Sequence, residues 1–166
     1  MFYNRKKLLL EKFYKKNVFE MPQIESISLA FYTKEVNDIV IKSSVLFLIS
    51  GIKPQVLYRN LSKKQRKNSK EYLGCKVVLQ KKEALNFFYY LVFIVSAQNV
   101  NMLFKKPKEN KLLNTFSFKI PDIFIFPELN KEVDKFYGIK DLNVSIQFKN
   151  KFGINYFFNL FNLIKA

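Results

Sequence analysis

Phe87–Val95, FFYYLVFIV, is the longest fully apolar run in the chain, at nine residues. A membrane-spanning helix needs about 20. Outward growth meets Asn86 and Lys81–Glu83 on one side, and Ser96, Gln98 and Asn99 on the other. Too short to cross a bilayer and too apolar to lie in water, the run reads as a helix over Lys82–Asn99, buried on nearly all faces. Such a helix demands a folded domain around it. The 166 residues suffice for one domain that buries roughly two-thirds of its unfolded surface. A hydrophobic share of 49% excludes intrinsic disorder.

The net charge of +16 opposes compaction unless something polyanionic shares the surface. The absences exclude much chemistry. With no His there is no imidazole base, His metal ligand or His-based triad. Cys75 stands alone, so no intramolecular disulfide or Cys-rich zinc site exists. Four glycines cannot spell a dinucleotide fingerprint or a phosphate loop. Of the 29 cations only Arg5, Arg59 and Arg66 are Arg. An RNA binder is expected to favour the Arg fork, so the Lys excess is read as drift in an AT-rich genome. A first helix starting within a few residues of Met1 leaves no room for a leader, so the expectation is an organelle-encoded, mitochondrial product.

Along the chain, Arg5–Lys16 places Leu8, Leu9 and Phe13 near one stripe, a basic amphipathic helix ended by Pro22. Ile27, Leu29 and Phe31 alternate with Ser26, Ser28 and Ala30, a half-buried strand. Thr33 is the expected N-cap of a helix whose apolar face is Val36, Ile39, Val40 and Phe47, with Gly51 as its left-handed C-terminal residue. Lys53–Tyr58 and Cys75–Leu79 read as strands around a loop, and Lys105–Lys111 reads as a second basic break. Thr115–Ile120 alternates, Ile123–Phe126 reads as extended, and Leu142, Val144, Ile146 and Phe148 give the clearest strand. Ile154, Phe157, Phe158, Phe161 and Ile164 fall at helical spacing and close the core. The predicted fold is one α+β domain over 1–166, an antiparallel sheet with helices packed on one face and a long basic loop projecting between two strands.

That loop, 59–72 (RNLSKKQRKNSKEY), concentrates Arg59, Lys63, Lys64, Arg66, Lys67 and Lys70 against Glu71 alone. Structureless loops beyond roughly 12 residues tend to be functional or disordered. Presented between strands on so basic a chain, these cations suit sequence-tolerant contact with nucleic-acid phosphates. Glu128, Glu132, Asp134 and Asp141 form the most acidic region, read as a solvated face or a protein contact.

Six segments resemble, in collinear order, the large-subunit ribosomal protein L-five family. Leu9–Leu29 is similar to its opening helix, KNV turn and first strand. Ser50–Pro54 (SGIKP) resembles the family's TGQ-[KR]-P turn, and Gly74–Leu79 (GCKVVL) its GxKVTL strand. Leu85–Leu91 sits where a YEFLxRL-like helix belongs. Phe116–Leu129, with Phe126-Pro127-Glu128, resembles YSLGIxExxxFPEI, and Gly138–Ile146 resembles the GMDITI strand.

The resemblance implies a structural, non-catalytic protein without cofactor or metal, in the central protuberance of the large subunit. The implied partners are rRNA, the peptidyl-site tRNA, neighbouring large-subunit proteins and a small-subunit head protein across an intersubunit bridge. A mitochondrial ribosome in the matrix is the implied place. The basic loop matches the family's tRNA-facing finger, although KKQRKNSK replaces its Gly-containing tip. Three family positions tied to 5S rRNA fall on Ala30, Ile52 and Val78, expected on one sheet face and all apolar here, which puts that contact in question. A free-standing basic RNA-binding protein is the alternative.

Overall fold

A computed structural model describes residues 23–60, 70–97, 108–110 and 114–149. The expected N-terminal helix at Arg5–Lys16 and the C-terminal helix at 154–164 lie outside the described residues. The order of elements is β1 (Ile24–Tyr32), α1 (Val36–Ser50), β2 (Gln55–Asn60), β3 (Lys70–Gln80), α2 (Lys81–Ala97), β4 (Lys108–Asn110) and β5 (Thr115–Asp122). Two 3-10 turns, Ile123–Ile125 and Pro127–Glu132, lead through α3 (Val133–Phe136) to β6 (Lys140–Phe148). The fold is α+β, with an antiparallel sheet of six strands in the order β2-β3-β1-β6-β5-β4. Lys108–Asn110, expected within a basic break, instead pairs with Thr115–Ser117 as a short edge strand.

Contacts group the chain into two compact units, whose boundaries fall inside β1, β3, β5 and β6. The first comprises Ser28–Leu79 and Lys119–Val144. Alternation sets its core. Leu29 and Phe31 of β1 are buried together with Cys75, Val77 and Leu79 of β3 and Leu142 and Val144 of β6. Burial pushes the Cys75 thiol above its ordinary range, against a smaller opposing effect from the Ser43 hydroxyl. A thiol held neutral in this way behaves as a small hydrophobe, and it stays out of thiolate chemistry.

Helix α1 packs on the turn Pro127–Glu132 and departs from expectation in two respects. Its N-cap position is Glu35, without a side-chain cap bond. Thr33 acts one step earlier, its hydroxyl accepting from the Glu35 N–H at 3.4 Å and donating to Asp38 at 3.3 Å. The buried side chains are Ile39, Val45, Leu46 and Ile49, whereas Val36, Val40 and Phe47 face outward. Both sides of the helix are apolar, so periodicity could not tell inside from outside. Gly51 fills its expected role, at φ 68° with its N–H donating to the Phe47 carbonyl at 2.8 Å.

Ile123–Phe126, expected extended, coils instead. The Asp122 carboxylate accepts from the Phe124 N–H at 2.9 Å, and the Phe126 N–H reaches the Ile123 carbonyl at 3.1 Å. An Asx turn of this kind overrides strand propensity locally. Coiling buries Ile123, Phe126 and Leu129, and Pro127 starts the second turn, where it needs no N–H partner.

In the second unit α2 contributes Ala84, Phe87, Phe88, Leu91 and Ile94 to the core, with Phe116 and Phe118 of β5 and Ile146 and Phe148 of β6. Burial on nearly all faces is not observed: Phe93 is 69% exposed. Half-burial pushes the Tyr89 hydroxyl up to about 12. On the other side of these strands the Ser117 and Ser145 hydroxyls meet at 2.8 Å, and Gln147 donates to Glu25 at 3.1 Å.

Gly74 marks a close approach of two backbones. A Cβ there would lie 1.9 Å from the Phe31 carbonyl oxygen, and the backbone holds φ +139°, which L side chains rarely adopt. Just beside it the Thr33 N–H donates to the Leu73 carbonyl at 3.1 Å, tying β3 to the end of β1. Gly74→Ala is expected to destabilise the protein by about 3 kcal/mol or more. Urea unfolding of the two proteins checks this, and equal midpoints would show that the strands do not approach this closely.

Candidate nucleic-acid interface

The segment expected to form a basic finger lies between the paired strands β2 and β3. β2 runs from Gln55 opposite Lys76 to Leu57 opposite Gly74, the register then slips, and pairing resumes at Tyr58 opposite Tyr72. Two residues of β3 thus oppose one step of β2, a bulge that bends and twists the hairpin. Beyond it Arg59 pairs with Glu71 and Asn60 with Lys70. The loop is therefore narrower than 59–72. Arg59 and Lys70 are strand residues, because backbone pairing continues through a polar stretch that has no apolar alternation to advertise it. Lys63, Lys64, Arg66 and Lys67 lie at 61–69, outside the described residues.

Charge at the hairpin base favours cations. Glu71, the one acid of the segment, is engaged by Lys34 across 3.0 Å. Exposed pairs of this kind add little stability. Their consequence here is electrostatic, since the acid is already matched before the finger's cations are considered.

A second cationic locus was not legible in the sequence. Tyr32 of β1, Lys42 of α1, Lys119 of β5 and Lys140, Asp141 and Asn143 of β6 line an open depression of about 440 Å³. Residues 32, 42, 119 and 140 are far apart along the chain, and only strand order gathers them. The Lys42 ammonium lies 3.0 Å from Asp38 and holds that carboxyl below its ordinary range, chiefly by donating a hydrogen bond to it. Lys119 stands 4.0 Å from Asp141. Asp141 sits at φ 61°, a left-handed conformation uncommon for a residue with a side chain. Asn143 secures that turn: its amide donates to the Asp141 carbonyl at 3.1 Å and to the Ala30 carbonyl at 3.3 Å.

The three apolar positions do not form one sheet patch. Ala30 and Val78 lie on β1 and β3, on the face opposite the buried Leu29, Phe31, Val77 and Leu79. Ala30 is only 6% exposed, and Val78 is open to solvent. Ile52 is not in the sheet. It occupies the turn after α1, where its N–H donates to the Ser50 hydroxyl at 3.2 Å. The short turn enforced by Gly51 ends before β2 begins.

The acidic residues Glu128, Glu132, Asp134 and Asp141 are exposed, and Glu132 is paired with Lys135 at 3.3 Å. Among the described residues no group of three or more His, Cys, Asp or Glu could hold a metal ion. None of the described helices is long and apolar enough to cross a membrane.

These features define a basic α+β protein built to present cations from a hairpin and from a sheet end. No family model matches the chain. Curated proteins do. The chain is 31% identical over 146 residues to the large ribosomal subunit protein uL5 of Buchnera aphidicola subsp. Baizongia pistaciae, covering 85% of this chain and 80% of the relative. It is 33% identical over 144 residues to uL5 of Clostridium botulinum strain Eklund 17B, covering 82% and 78%, and 34% identical over 140 residues to uL5 of Clostridium perfringens strain SM101, covering 79% and 76%. The chain belongs to the uL5 family of large ribosomal subunit proteins, and the relatives named here are bacterial.

Proposed function

We propose that this chain is a structural, non-catalytic component of the large ribosomal subunit, working in translation by holding rRNA. The observation that carries the reading is the uL5 likeness over most of both chains, joined to a hairpin whose only acid is already paired. Lysines at the hairpin and at the depression neutralise phosphates as mobile point charges, which positions RNA without reading its bases. The seat is the central protuberance. There the finger, with Arg59 and Lys70 at its base and Lys63, Lys64, Arg66 and Lys67 beyond, reaches the peptidyl-site tRNA, and other surface meets a small-subunit head protein.

If about four cations of the finger engage, RNA affinity falls with salt at a log–log slope of about −3 to −4. Changing Lys63, Lys64, Arg66 and Lys67 together to Ala is expected to flatten that slope and leave the melting temperature unmoved. An unchanged slope would show that the finger is merely solvated.

The ribosome in question is mitochondrial on this reading, supported by the Lys-, Asn- and Phe-rich composition of an AT-driven gene. Its contact with 5S rRNA is reduced or absent. Ala30, Ile52 and Val78 offer no side-chain hydrogen bond, Ala30 is nearly covered, and RNA groups buried on Ile52 or Val78 would be left unpaired at about 1–3 kcal/mol each. Sequencing the small RNAs of purified mitochondrial ribosomes that contain this chain tests both statements. The expected result is no ordinary 5S rRNA. A stoichiometric 5S rRNA contacting Ala30, Ile52 and Val78, or recovery of the chain only from another compartment, would contradict them.

A further inference from the structure

The outward side of α1 is the least explained surface of the protein. Val36 is 54% exposed, Val40 63% and Phe47 51%, and Ile41 and Leu48 are exposed beside them. At 100° per residue these five span one continuous side of the helix, with Asn37 and Ser44 as the polar residues among them. The helix's two charged residues, Asp38 and Lys42, lie on the other side and pair with each other at 3.0 Å. A solvent-facing helix places charge outward and apolar groups inward. Here both sides are apolar and the outward one carries no charge at all.

What covers this side follows from its charge. The chain holds 29 Lys and Arg, yet none falls on the stripe. Nucleic acid needs cations opposite its phosphates, so RNA is a poor occupant. An apolar centre with charge only at its ends, Glu35 before the helix and Lys53 after it, has the make-up of a protein interface with a polar rim. Contiguous apolar patches of this sort mark interaction sites.

We infer that the outward side of α1 docks a neighbouring protein of the large subunit, through an apolar segment that seats on Val40 and Phe47. The inference rests on the ribosomal reading above. It assigns this helix to protein, and leaves the hairpin and the depression to RNA.

The test places a benzophenone photocrosslinker at Val40 in the full chain, assembled into purified large subunits. The expected product joins the chain to an apolar peptide of another ribosomal protein. Crosslinking to rRNA, to the chain's own residues 1–22 or 150–166, or to nothing while a crosslinker at Arg59 reacts, would overturn the assignment. A second arm uses Val40→Asp with Phe47→Ser. Since both residues are exposed, the melting temperature is expected to hold, and recovery in large subunits to fall by at least about tenfold, as loss of central apolar anchors implies. Normal recovery of the variant would sink the interface alone. Failure of the unaltered chain to sediment with large subunits would instead sink the ribosomal reading.

Discussion

The backbone contact at Gly74 anchors the stem of the β2–β3 hairpin. β3 carries half of the basic hairpin, and it meets the end of β1 at a separation that leaves no room for a Cβ. Thr33 to Leu73 is the hydrogen bond that closes that junction, and the register slip beside it bends the hairpin. With β3 anchored there, Cys75, Val77 and Leu79 enter the core in alternation, and Arg59, Asn60, Lys70 and Glu71 are held beyond it as a paired stem. A paired stem of this kind gives the residues that follow it a fixed point of departure.

The electrostatic design follows the same division. A net +16 opposes compaction, and a core of large apolar side chains works against it. Phe31, Phe88, Phe116, Phe126 and Phe148 are fully buried, and the described residues include no buried polar or charged side chain. The described cations are not buried, and salt screens those that are exposed. Among the described residues, Lys34–Glu71, Lys119–Asp141 and Lys135–Glu132 are exposed pairs that contribute little, while Lys42–Asp38 is partly covered. Charge here serves binding, and cohesion comes from the phenylalanine-rich core.

Much of this was legible from residue order. Alternation is clearest in 142–148, where Asn143, Ser145 and Gln147 separate the buried residues, and it holds in 27–31 up to Ala30; those strands appear as expected. Gly51 announces its own left-handed turn. Three features were hidden for physical reasons. Asp122 captures a backbone N–H and coils a segment of strong strand formers. Helix α1 is apolar on both sides, so its sequence gives no inward direction. The lysines of the depression come from two strands and a helix, and no linear motif can announce a cluster that only the sheet assembles. The hairpin's cations were visible at once, while the extent of its stem was not, since polar strand residues look like loop.

The central claim is that this chain resides in the large ribosomal subunit. The direct measurement is sedimentation of a lysate containing the tagged full-length chain through a high-magnesium sucrose gradient. Quantification of the chain across the fractions should place it with large subunits and with whole ribosomes, near one copy per subunit. A chain that remains at the top of the gradient, or floats with lipid, would contradict the account.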